Sequence, residues 1–289
     1  MPELPEVHAL AADLRQRMTG RTVGSLLVTS IAALKTFDPS PSDLAGAPVV
    51  DVRRHGKFLD VVVGDLHLVV HLAKMGWIRW SDRLPPLTGG ARKTTTAARL
   101  GLEDGSGVTI TEWGPKKRLA IWIVRDPAEV PGIATLGPDP LDPSFTEERF
   151  AAILAGSGRA QIKGVLRNQG VIAGIGNAYS DEILHVARMS PFKPAAMPAD
   201  DAARLYVALR ETLADAVARS EGLAAAELKG EKKSGMRVHG RTGEACPVCG
   251  DVVRQVRFAD SSLQYCATCQ TGGKPLADRA LSRLGIPLT

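Results

Sequence analysis

Four cysteines in the last fifth of the chain are the residues whose spacing points most directly to a chemical role. They form two pairs, each with two intervening residues, and sixteen residues separate the pairs: Cys246, Cys249, Cys266 and Cys269. Such paired knuckles are typical of a structural zinc site with four thiolates arranged as a tetrahedron. Two disulfides or four free thiols are the alternatives, and a reducing cytoplasm together with the paired spacing favours zinc. Because four thiolates leave no open position on the metal, we predict one structural Zn²⁺.

The first six residues, MPELPE, place two prolines and two glutamates where most chains have a frayed tail. Beyond them, apolar residues follow the spacing of one helix face, namely Val7, Leu10, Ala11, Leu14 and Met18. Pro5 suits the first turn of this helix, and Glu6 complements the positive end of its dipole. From the residues alone, Glu3 and Glu6 are best interpreted as helix N-terminal charges.

The next hundred residues predict short β-strands, because β-branched runs alternate with Gly, Pro and Asp. The runs are TVGSLLVTS, KFLDVVVGD, LHLVVHLAK, AARLGLED, GVTITEW and RLAIWIV. Several strands at this spacing indicate a sandwich or a barrel. Between them, the segment 85–98 predicts a mobile, cationic loop.

Three prolines in LGPDPLDPSF mark a boundary, after which helical patterns dominate. Ser144 followed by Glu147 predicts a capping box for a helix that ends near Leu154. Further helical patterns follow, and the polar, basic segment 228–245 predicts a flexible linker to the cysteines. We therefore predict three domains, at residues 1–135, 136–235 and 236–289.

Three glycines separate two helical patterns in QGVIAGIGNAYSDEIL. A dinucleotide-binding loop is disfavoured because no strand precedes them, so a helix–turn–helix element is the better interpretation. Asn177 then lies where the second helix begins. It either caps that helix or turns its amide toward a phosphate, and the residues alone favour the cap.

The formal net charge of +5 and the pI of about 9.1 fit a polyanionic partner without requiring one. No apolar run approaches the ~18 residues of a membrane helix, and the chain start lacks the layout of a secretory signal. We therefore expect a cytoplasmic protein that makes no membrane contact, and a monomer.

Taken together, these stretches resemble one family, the formamidopyrimidine-DNA glycosylases and endonuclease VIII enzymes. The resemblance covers nearly the whole chain through MPELPE, HGKFL, HLAKMG, NQGVIAGIGNAYSDEIL and the four-cysteine finger. It implies a multidomain α+β fold with an N-terminal β-sandwich and flanking helices, a helix–two-turn–helix DNA-binding domain and a C-terminal zinc-finger hairpin. It also implies damaged DNA as the partner, in the cleft between the first two domains. Leu4 is more similar to the formamidopyrimidine branch.

In this family Met1 is removed and the exposed proline nitrogen attacks the sugar C1′, so the resemblance implies Pro2 as the catalytic nucleophile. An α-amino group has a pKa of roughly 8 against about 10.4 for lysine, so more of it is unprotonated at neutral pH. A secondary amine also forms a cationic iminium, which acts as an electron sink. By resemblance, Glu3 shuttles protons and Glu6 helps to fix the chain start in the DNA-binding site. The implied activity is excision of oxidised bases and β,δ-elimination at the abasic site.

Other residues match family contacts to the DNA backbone. Lys57 in HGKFL matches a lysine at the damaged nucleotide, which we group with the catalytic residues; an exposed strand lysine is the alternative. His71 is either a phosphate contact or a satisfied buried histidine. Asn177 matches a phosphate-gripping asparagine. A basic face is expected to follow the DNA through Lys57, Lys74, Lys116 and Lys163.

Three departures from the family pattern affect DNA recognition. Lys74 replaces a void-filling methionine, and Met75 comes one residue late, on the other face if this segment is a strand. The cations at 116–118 stand where the family has a loop with a phenylalanine. Ser261 replaces an arginine of the finger, and the sequence leaves open whether Arg254 or Arg257 compensates.

Cations thus replace apolar wedges that fill the gap in a duplex. We hypothesise that this chain holds duplex poorly around a flipped base and prefers single strands, pre-opened sites or abasic sites. Two alternatives remain open. One is a non-catalytic damaged-DNA-binding protein on the same scaffold, and the other is an endonuclease VIII-like specificity for oxidised pyrimidines.

Overall fold

The computed structural model describes residues 1–86, 95–259 and 261–277. The chain divides into two compact units. The first contains Met1–Leu136 and Ser220–Lys229, and the second contains Gly137–Arg219 and the described residues from Gly230 onward. The predicted cationic loop falls mainly on residues 87–94, outside the described residues. Among the described residues, no helix is both long and apolar enough to cross a bilayer.

The first unit combines one long helix with two antiparallel sheets. Its elements in chain order are α1 (Leu4–Met18), β1 (Val23–Val28), β2 (Val49–His55), β3 (Phe58–Val63), β4 (Leu66–His71), β5 (Gly76–Ser81), β6 (Thr96–Leu102), β7 (Gly107–Glu112), β8 (Ala120–Val124) and α2 (Pro131–Ala134). One sheet has the order β1-β6-β7-β5 and the other the order β2-β3-β4-β8. Both sheets contribute side chains to one hydrophobic core. The predicted N-terminal β-sandwich is confirmed.

Helix α1 packs its apolar face into this core and lies against β2 and β3. The fully buried residues on this face are those that the spacing predicted, including Val7, Leu10, Leu14 and Met18. Pro5 lies in the first turn, where its missing N–H costs no hydrogen bond. The burial of α1 therefore fixes the first residues of the chain against the sheet.

Strands β2 and β5 were not predicted from the sequence. Both are edge strands, and each buries only part of its residues, as in VVDVRRH, where Val49 and Val52 are buried while the arginines are not. An edge strand with one wet face carries charged residues that weaken the strand pattern. Their place in the sheets is set by pairing with β3 and β7.

The second unit holds the remaining helices and a two-stranded hairpin. Its elements are α3 (Glu147–Gly156), α4 (Ile162–Arg167), α5 (Asn177–Val186), α6 (Ala199–Ser220), α7 (Leu228–Gly235), β9 (Val253–Arg257), β10 (Ser262–Cys266) and α8 (Ala267–Thr271). The ends of α6 and α7 include residues of the segment 220–229, which packs with the first unit. Helices α4 and α5 flank the glycine-rich turn, as the sequence predicted.

The predicted cap of α3 is wrong. The N-cap is Thr146, whose Oγ1 accepts the backbone N–H of Arg149 at 3.3 Å. Ser144 lies two residues earlier, and its hydroxyl accepts from the Arg149 guanidinium at 3.2 Å. A capping side chain must be the residue next to the first helical turn, and the chain turns into the helix two residues later than the Ser–Glu spacing suggested.

The segment predicted as a flexible linker contains helix α7. Leu228 is fully buried in the core of the first unit, which anchors the start of the helix. In the second unit, Arg219 Nε donates to the Glu231 carboxylate at 2.6 Å, and the Lys232 ammonium lies 4.7 Å from the centre of the Tyr179 ring. These contacts order a segment whose composition alone is too polar to indicate packing.

Candidate functional site

The start of the chain is buried and held by hydrogen bonds. Pro2 is buried, and Glu3 and Glu6 are only 2% and 1% exposed. The Glu6 carboxylate accepts the backbone N–H of Glu3 at 2.8 Å, and the two residues form a capping box at the N-terminus of α1. Two carboxyl groups are thus withdrawn from water beside Pro2, an arrangement that a solvated tail would not retain. With Met1 attached, the Pro2 nitrogen is an amide.

Lys57 lies in the two-residue turn Gly56–Lys57 between β2 and β3 and is largely buried. Beside it, His71 is paired with Phe58 across β3 and β4, and the two rings lie 4.7 Å apart. Burial, and then the positive charge of Lys57, lower the pKa of His71 from 6.5 to about 4. His71 is therefore neutral at pH 7, so it can exchange hydrogen bonds with a phosphate but brings no charge.

This low pKa predicts an acid-sensitive first unit. The unfolded chain binds a proton at His71 below about pH 6.5, whereas the folded chain resists protonation down to about pH 4, so stability falls as the pH falls. Between about pH 7 and about pH 5, the His71 contribution to the free energy of unfolding should fall by about 2 kcal/mol. Urea titrations at several pH values, monitored by tryptophan fluorescence, would measure this change in the free energy of unfolding. His71→Gln should flatten this pH dependence.

Lys74 and Met75 do not lie on a strand, so the assumption of a strand at these positions is wrong. Strand β4 ends at His71 and β5 begins at Gly76, and both side chains are exposed on the tight turn between them. The Gly76 N–H donates to the Leu72 carbonyl at 2.8 Å, and a Cβ on Gly76 would lie 2.1 Å from that oxygen. Glycine is therefore required to close the turn, and the alternation rule for strands does not apply there.

A second loop, residues 113–118 after β7, contains the three cations at 116–118. All of its residues are exposed, including Lys116. It is organised by the buried carboxylate of Glu112, whose Oε1 accepts the backbone N–H groups of Arg118 at 2.6 Å and Leu119 at 2.8 Å. The Lys117 ammonium donates to the Glu112 carbonyl. One buried acid thus presents a run of cations to solvent.

Trp113, at the start of this loop, is a candidate functional residue that sequence reasoning missed. It is 54% exposed, and its backbone N–H donates to the carbonyl of Met75, itself 46% exposed, at 3.2 Å. Two large apolar residues are thus exposed side by side next to the cations, and a contiguous apolar patch is the kind that marks an interaction surface. The sequence signal that could have identified Trp113 is an aromatic residue directly before the basic stretch GPKKR.

Lys163 is 5% exposed, and its ammonium is engaged within the protein. Its Nζ donates to the Asn177 carbonyl at 3.1 Å, to Ser180 Oγ at 2.6 Å and to Asp181 Oδ1 at 2.6 Å. These contacts match the three donors of an ammonium group and hold the first turn of α5. The sequence placed Lys163 on a basic face that follows the DNA, whereas the structure bonds its ammonium to residues at the start of α5.

Asn177 is the first residue of α5, and Gly176 occupies the N-cap position. Its Nδ2 donates to the Ser262 carbonyl at 2.7 Å, which ties the helix to the β9–β10 hairpin. Its Oδ1 is buried and has no hydrogen-bond partner among the residues that the structure describes. Asn177 is therefore not the helix cap that the residues alone favoured.

Two further buried carboxylates on α5 were missed by sequence reasoning. Asp181 Oδ2 accepts from His239 Nδ1 at 2.7 Å and from the Gln264 N–H at 3.1 Å. Glu182 accepts three consecutive backbone N–H groups, from residues 237–239, at 2.7 to 3.0 Å. Burial raises the pKa of Glu182, and the three N–H groups oppose that shift. Acidic residues on a helix are normally solvated, so the sequence carried no signal for this network.

The four cysteines converge as predicted. Their sulfur atoms lie within 4.8 Å of one another, with Cys246 and Cys269 at 3.9 Å and Cys249 and Cys266 at 3.4 Å. Zn–S bonds of about 2.3 Å place tetrahedral thiolates about 3.8 Å apart, so this donor set fits zinc. Burial raises the pKa of the Cys266 thiol to about 11, so zinc has to displace its proton. The β9–β10 hairpin lies between the two knuckles.

Three known domain families match the chain. The formamidopyrimidine-DNA glycosylase N-terminal domain matches residues 1–115, the formamidopyrimidine-DNA glycosylase H2TH domain matches 136–226, and the zinc finger found in FPG and IleRS matches 243–272. These matches, with the cysteine geometry, confirm one structural zinc and the multidomain α+β fold class.

Two curated relatives illustrate the similarity. Formamidopyrimidine-DNA glycosylase of Thermus thermophilus is 34% identical over 284 residues, which cover 94% of this chain and 100% of that protein. An uncharacterized formamidopyrimidine-DNA glycosylase-like protein of Mycobacterium tuberculosis is 58% identical over 158 residues, which cover 54% of this chain and 98% of that protein.

Solved structures show the same fold. The crystal structure of the MutM (Fpg) protein of Thermus thermophilus matches with a TM-score of 0.79 and 33% identity, covering 95% of this chain and 100% of that one. A MutM complex with DNA containing carbocyclic 8-oxo-G matches with a TM-score of 0.80 and 26% identity, covering 93% and 100%. Lactococcus lactis Fpg bound non-covalently to abasic-site DNA matches with a TM-score of 0.79 and 25% identity, covering 93% and 99%.

Proposed function

This chain belongs to the formamidopyrimidine-DNA glycosylase family, and we propose that it is a base-excision repair enzyme that removes oxidised bases from DNA and cleaves the abasic site by β,δ-elimination. The observation that carries the proposal is the buried chain start, where Pro2 lies beside two carboxyl groups withdrawn from water. Buried carboxyls beside a chain end are a costly arrangement that a catalytic site explains. The DNA complexes of similar proteins support damaged DNA as the partner.

The proposed chemistry begins after removal of Met1, which makes Pro2 a secondary amine. Its nitrogen lone pair forms a bond to the sugar C1′, and the glycosidic bond breaks as the base leaves with the bonding electrons and takes up a proton. Loss of the nitrogen proton and opening of the sugar ring give a cationic iminium. Proton loss from C2′ then breaks the C3′–O bond, a second elimination breaks the C5′–O bond, and water releases Pro2 from the iminium.

We propose Glu3 as the group that moves protons in these steps. Ring opening requires a proton on the ring oxygen, and the eliminations require a base near the sugar, which one carboxyl group can serve in turn. We propose a different role for Glu6, whose carboxylate accepts the Glu3 N–H at 2.8 Å, one residue from Pro2. It fixes the backbone from which Pro2 and Glu3 project.

The remaining site residues divide by their surroundings. We propose that Lys57, Lys74 and Lys116 supply positive charge to the DNA backbone, and that His71 contributes a neutral hydrogen bond. Asn177 would grip a phosphate by exchanging its bond to Ser262 for one to DNA. We propose that Lys163 positions Asn177 for this contact, because its ammonium donates a hydrogen bond to the Asn177 carbonyl.

Borohydride trapping tests the proposal. The protein is incubated with a duplex that contains one abasic site in the presence of sodium borohydride, whose hydride adds to C1′ of the iminium and makes the link permanent. We expect a covalent adduct, and peptide mapping should place the DNA on an N-terminal proline. Normal binding without an adduct would instead favour the non-catalytic alternative. A panel of oxidised purines and pyrimidines then decides whether the specificity is endonuclease VIII-like.

Trp113 and Met75 bear on the proposed preference for pre-opened DNA. They form an exposed apolar pair beside the cations at 116–118, which is the composition of a wedge that can fill the gap left in a duplex by a flipped base. We expect excision from duplex DNA to be weaker than excision from single strands. We propose that the duplex activity depends on Trp113 and Met75. Trp113→Ala should lower duplex excision about 10-fold, corresponding to the ~1–3 kcal/mol of one stacking contact, with a smaller effect on single strands.

Two matched variants control this prediction in the same excision assay. Trp113→Phe keeps an aromatic face and should retain most of the duplex activity. Phe37, almost completely exposed elsewhere in the first unit, should be replaceable by Ala without effect. Equal losses on duplex and single strand in Trp113→Ala, or a strong duplex preference in the unmodified chain, would contradict the proposal.

The missing finger arginine has a candidate replacement in Arg257. In the β9–β10 register Arg257 is exposed and lies opposite Ser262, whose carbonyl binds Asn177. Arg254 lies opposite Tyr265 and is only partly exposed. Arg257→Ala should weaken DNA binding and reduce the slope of log affinity against log salt by about one, as expected for one lost phosphate contact. Binding isotherms at several salt concentrations measure it, and Arg254→Ala should leave the slope unchanged.

A further inference from the structure

Helix α5 presents one polar face to the cysteine-bearing part of the second unit. Positions 177, 181, 182 and 185 share this face, because the last three follow position 177 by four, five and eight residues. Asn177 bonds Ser262, Asp181 bonds Gln264 and Glu182 bonds the backbone at 237–239. The fourth, His185, contacts a predicted zinc ligand.

His185 is 2% exposed, and its Nε2 lies 3.3 Å from Cys246 Sγ. Its Nδ1 is buried and has no hydrogen-bond partner within the described ranges. A neutral imidazole carries one N–H, and a buried N–H without an acceptor is costly. The proton therefore belongs on Nε2, where the Cys246 sulfur can accept it.

We infer that His185 is a positioning residue of the zinc centre, which donates its Nε2–H to the Cys246 thiolate and thereby joins α5 to the metal. A zinc ion with four thiolates carries a net charge of −2, from four ligands at −1 and the metal at +2. A buried N–H aimed at one sulfur offsets part of this charge and fixes the direction of the ligand. The inference concerns the metal and does not depend on the proposed glycosylase activity.

Zinc release to a chromogenic chelator tests the inference on the full, zinc-loaded chain. His185→Phe fills a similar volume without a donor and should release zinc about 10- to 100-fold more readily. His185→Gln places an amide N–H near the position of Nε2 and should recover much of the loss. His67→Phe, at a partly buried histidine of the first unit, is the matched control and should release zinc at the original rate.

A spectroscopic readout separates hydrogen bonding from packing. Cobalt(II) in place of zinc gives thiolate-to-metal charge-transfer bands, and a hydrogen bond to sulfur lowers the energy of its lone pairs. Loss of the donor in His185→Phe should therefore shift these bands to longer wavelength, and His185→Gln should shift them back. Unchanged zinc release in His185→Phe would overturn the inference. So would faster release with unshifted bands, or a His185→Gln variant that behaves like His185→Phe.

Discussion

A chain that keeps one residue ahead of Pro2 will form no borohydride-trapped adduct with abasic-site DNA, whereas the same chain beginning at Pro2 will form one. The physical reason is that an amide nitrogen shares its lone pair with the carbonyl and cannot attack C1′, while a free secondary amine can. The loss should reach the detection limit. A cleavable leader can produce both forms, one ending in Gly ahead of Pro2 and the other leaving Pro2 free.

Two measurements make this comparison decisive. Both forms should bind the same DNA equally well, because the added residue removes no cation. If the extended form gave an adduct of equal yield, peptide mapping would have to place it on another amine, either that of the added Gly or an internal one such as that of Lys57. Glu3→Gln on the Pro2 form is the companion variant. It should still be trapped on abasic DNA, but base removal should fall about 10²- to 10⁴-fold because proton transfer is lost.

Replacing Lys163 with Met should lower the free energy of unfolding of the second unit by about 3–5 kcal/mol. Lys163 and Asp181 form an ion pair at 2.6 Å with side chains 6% and 0% exposed. Removing the lysine leaves a buried carboxylate without its cation, whose desolvation is then uncompensated. Urea titration followed by far-UV circular dichroism measures the loss, since this unit is mainly helical.

The control for this prediction is a less deeply buried pair in the same unit. Lys193 and Asp201 also form an ion pair, but both side chains keep more contact with water, so Lys193→Met should cost less than about 1 kcal/mol. Adding Asp181→Asn to Lys163→Met removes the stranded charge while keeping hydrogen-bonding groups, so the double variant should be more stable than additivity predicts, by about 1–3 kcal/mol. Additive losses would show that the pair is not coupled.

Tryptophan fluorescence provides an internal check in these titrations. All four tryptophans, Trp77, Trp80, Trp113 and Trp122, belong to the first unit. An unchanged emission spectrum in buffer therefore shows that the first unit is still folded in each variant. The ellipticity change can then be assigned to the second unit.

Much of the architecture was accessible from spacing alone. The four cysteines predicted zinc because a knuckle is a local structure whose ligands are close in sequence. Helix α1 and most of the sandwich strands were predicted because their buried faces repeat with periods of about 3.6 and 2 residues. Strands β2 and β5 were missed because edge strands keep polar residues, and their pairing partners lie elsewhere in the chain.

The candidate site was less predictable, because its chemistry depends on burial. The sequence indicates Lys163 as a cation for phosphate, yet its ammonium is enclosed by the first turn of α5. The sequence also indicates strand positions for Lys74 and Met75, yet Gly76 closes a turn that exposes both. Nothing in the spacing of His185 indicates Cys246, which is 61 residues away.

The sequence by itself determined the zinc ligands, the helix that fixes the chain start and the family to which the chain belongs, because these depend on residue types at short, regular separations. Only the tertiary structure decided which charged side chains meet water and which meet one another. That outcome depends on contacts between distant segments, such as Asn177 with Ser262 and Asp181 with Gln264. Burial, which sets the pKa of His71 and encloses the ammonium of Lys163, exists only once those segments have packed.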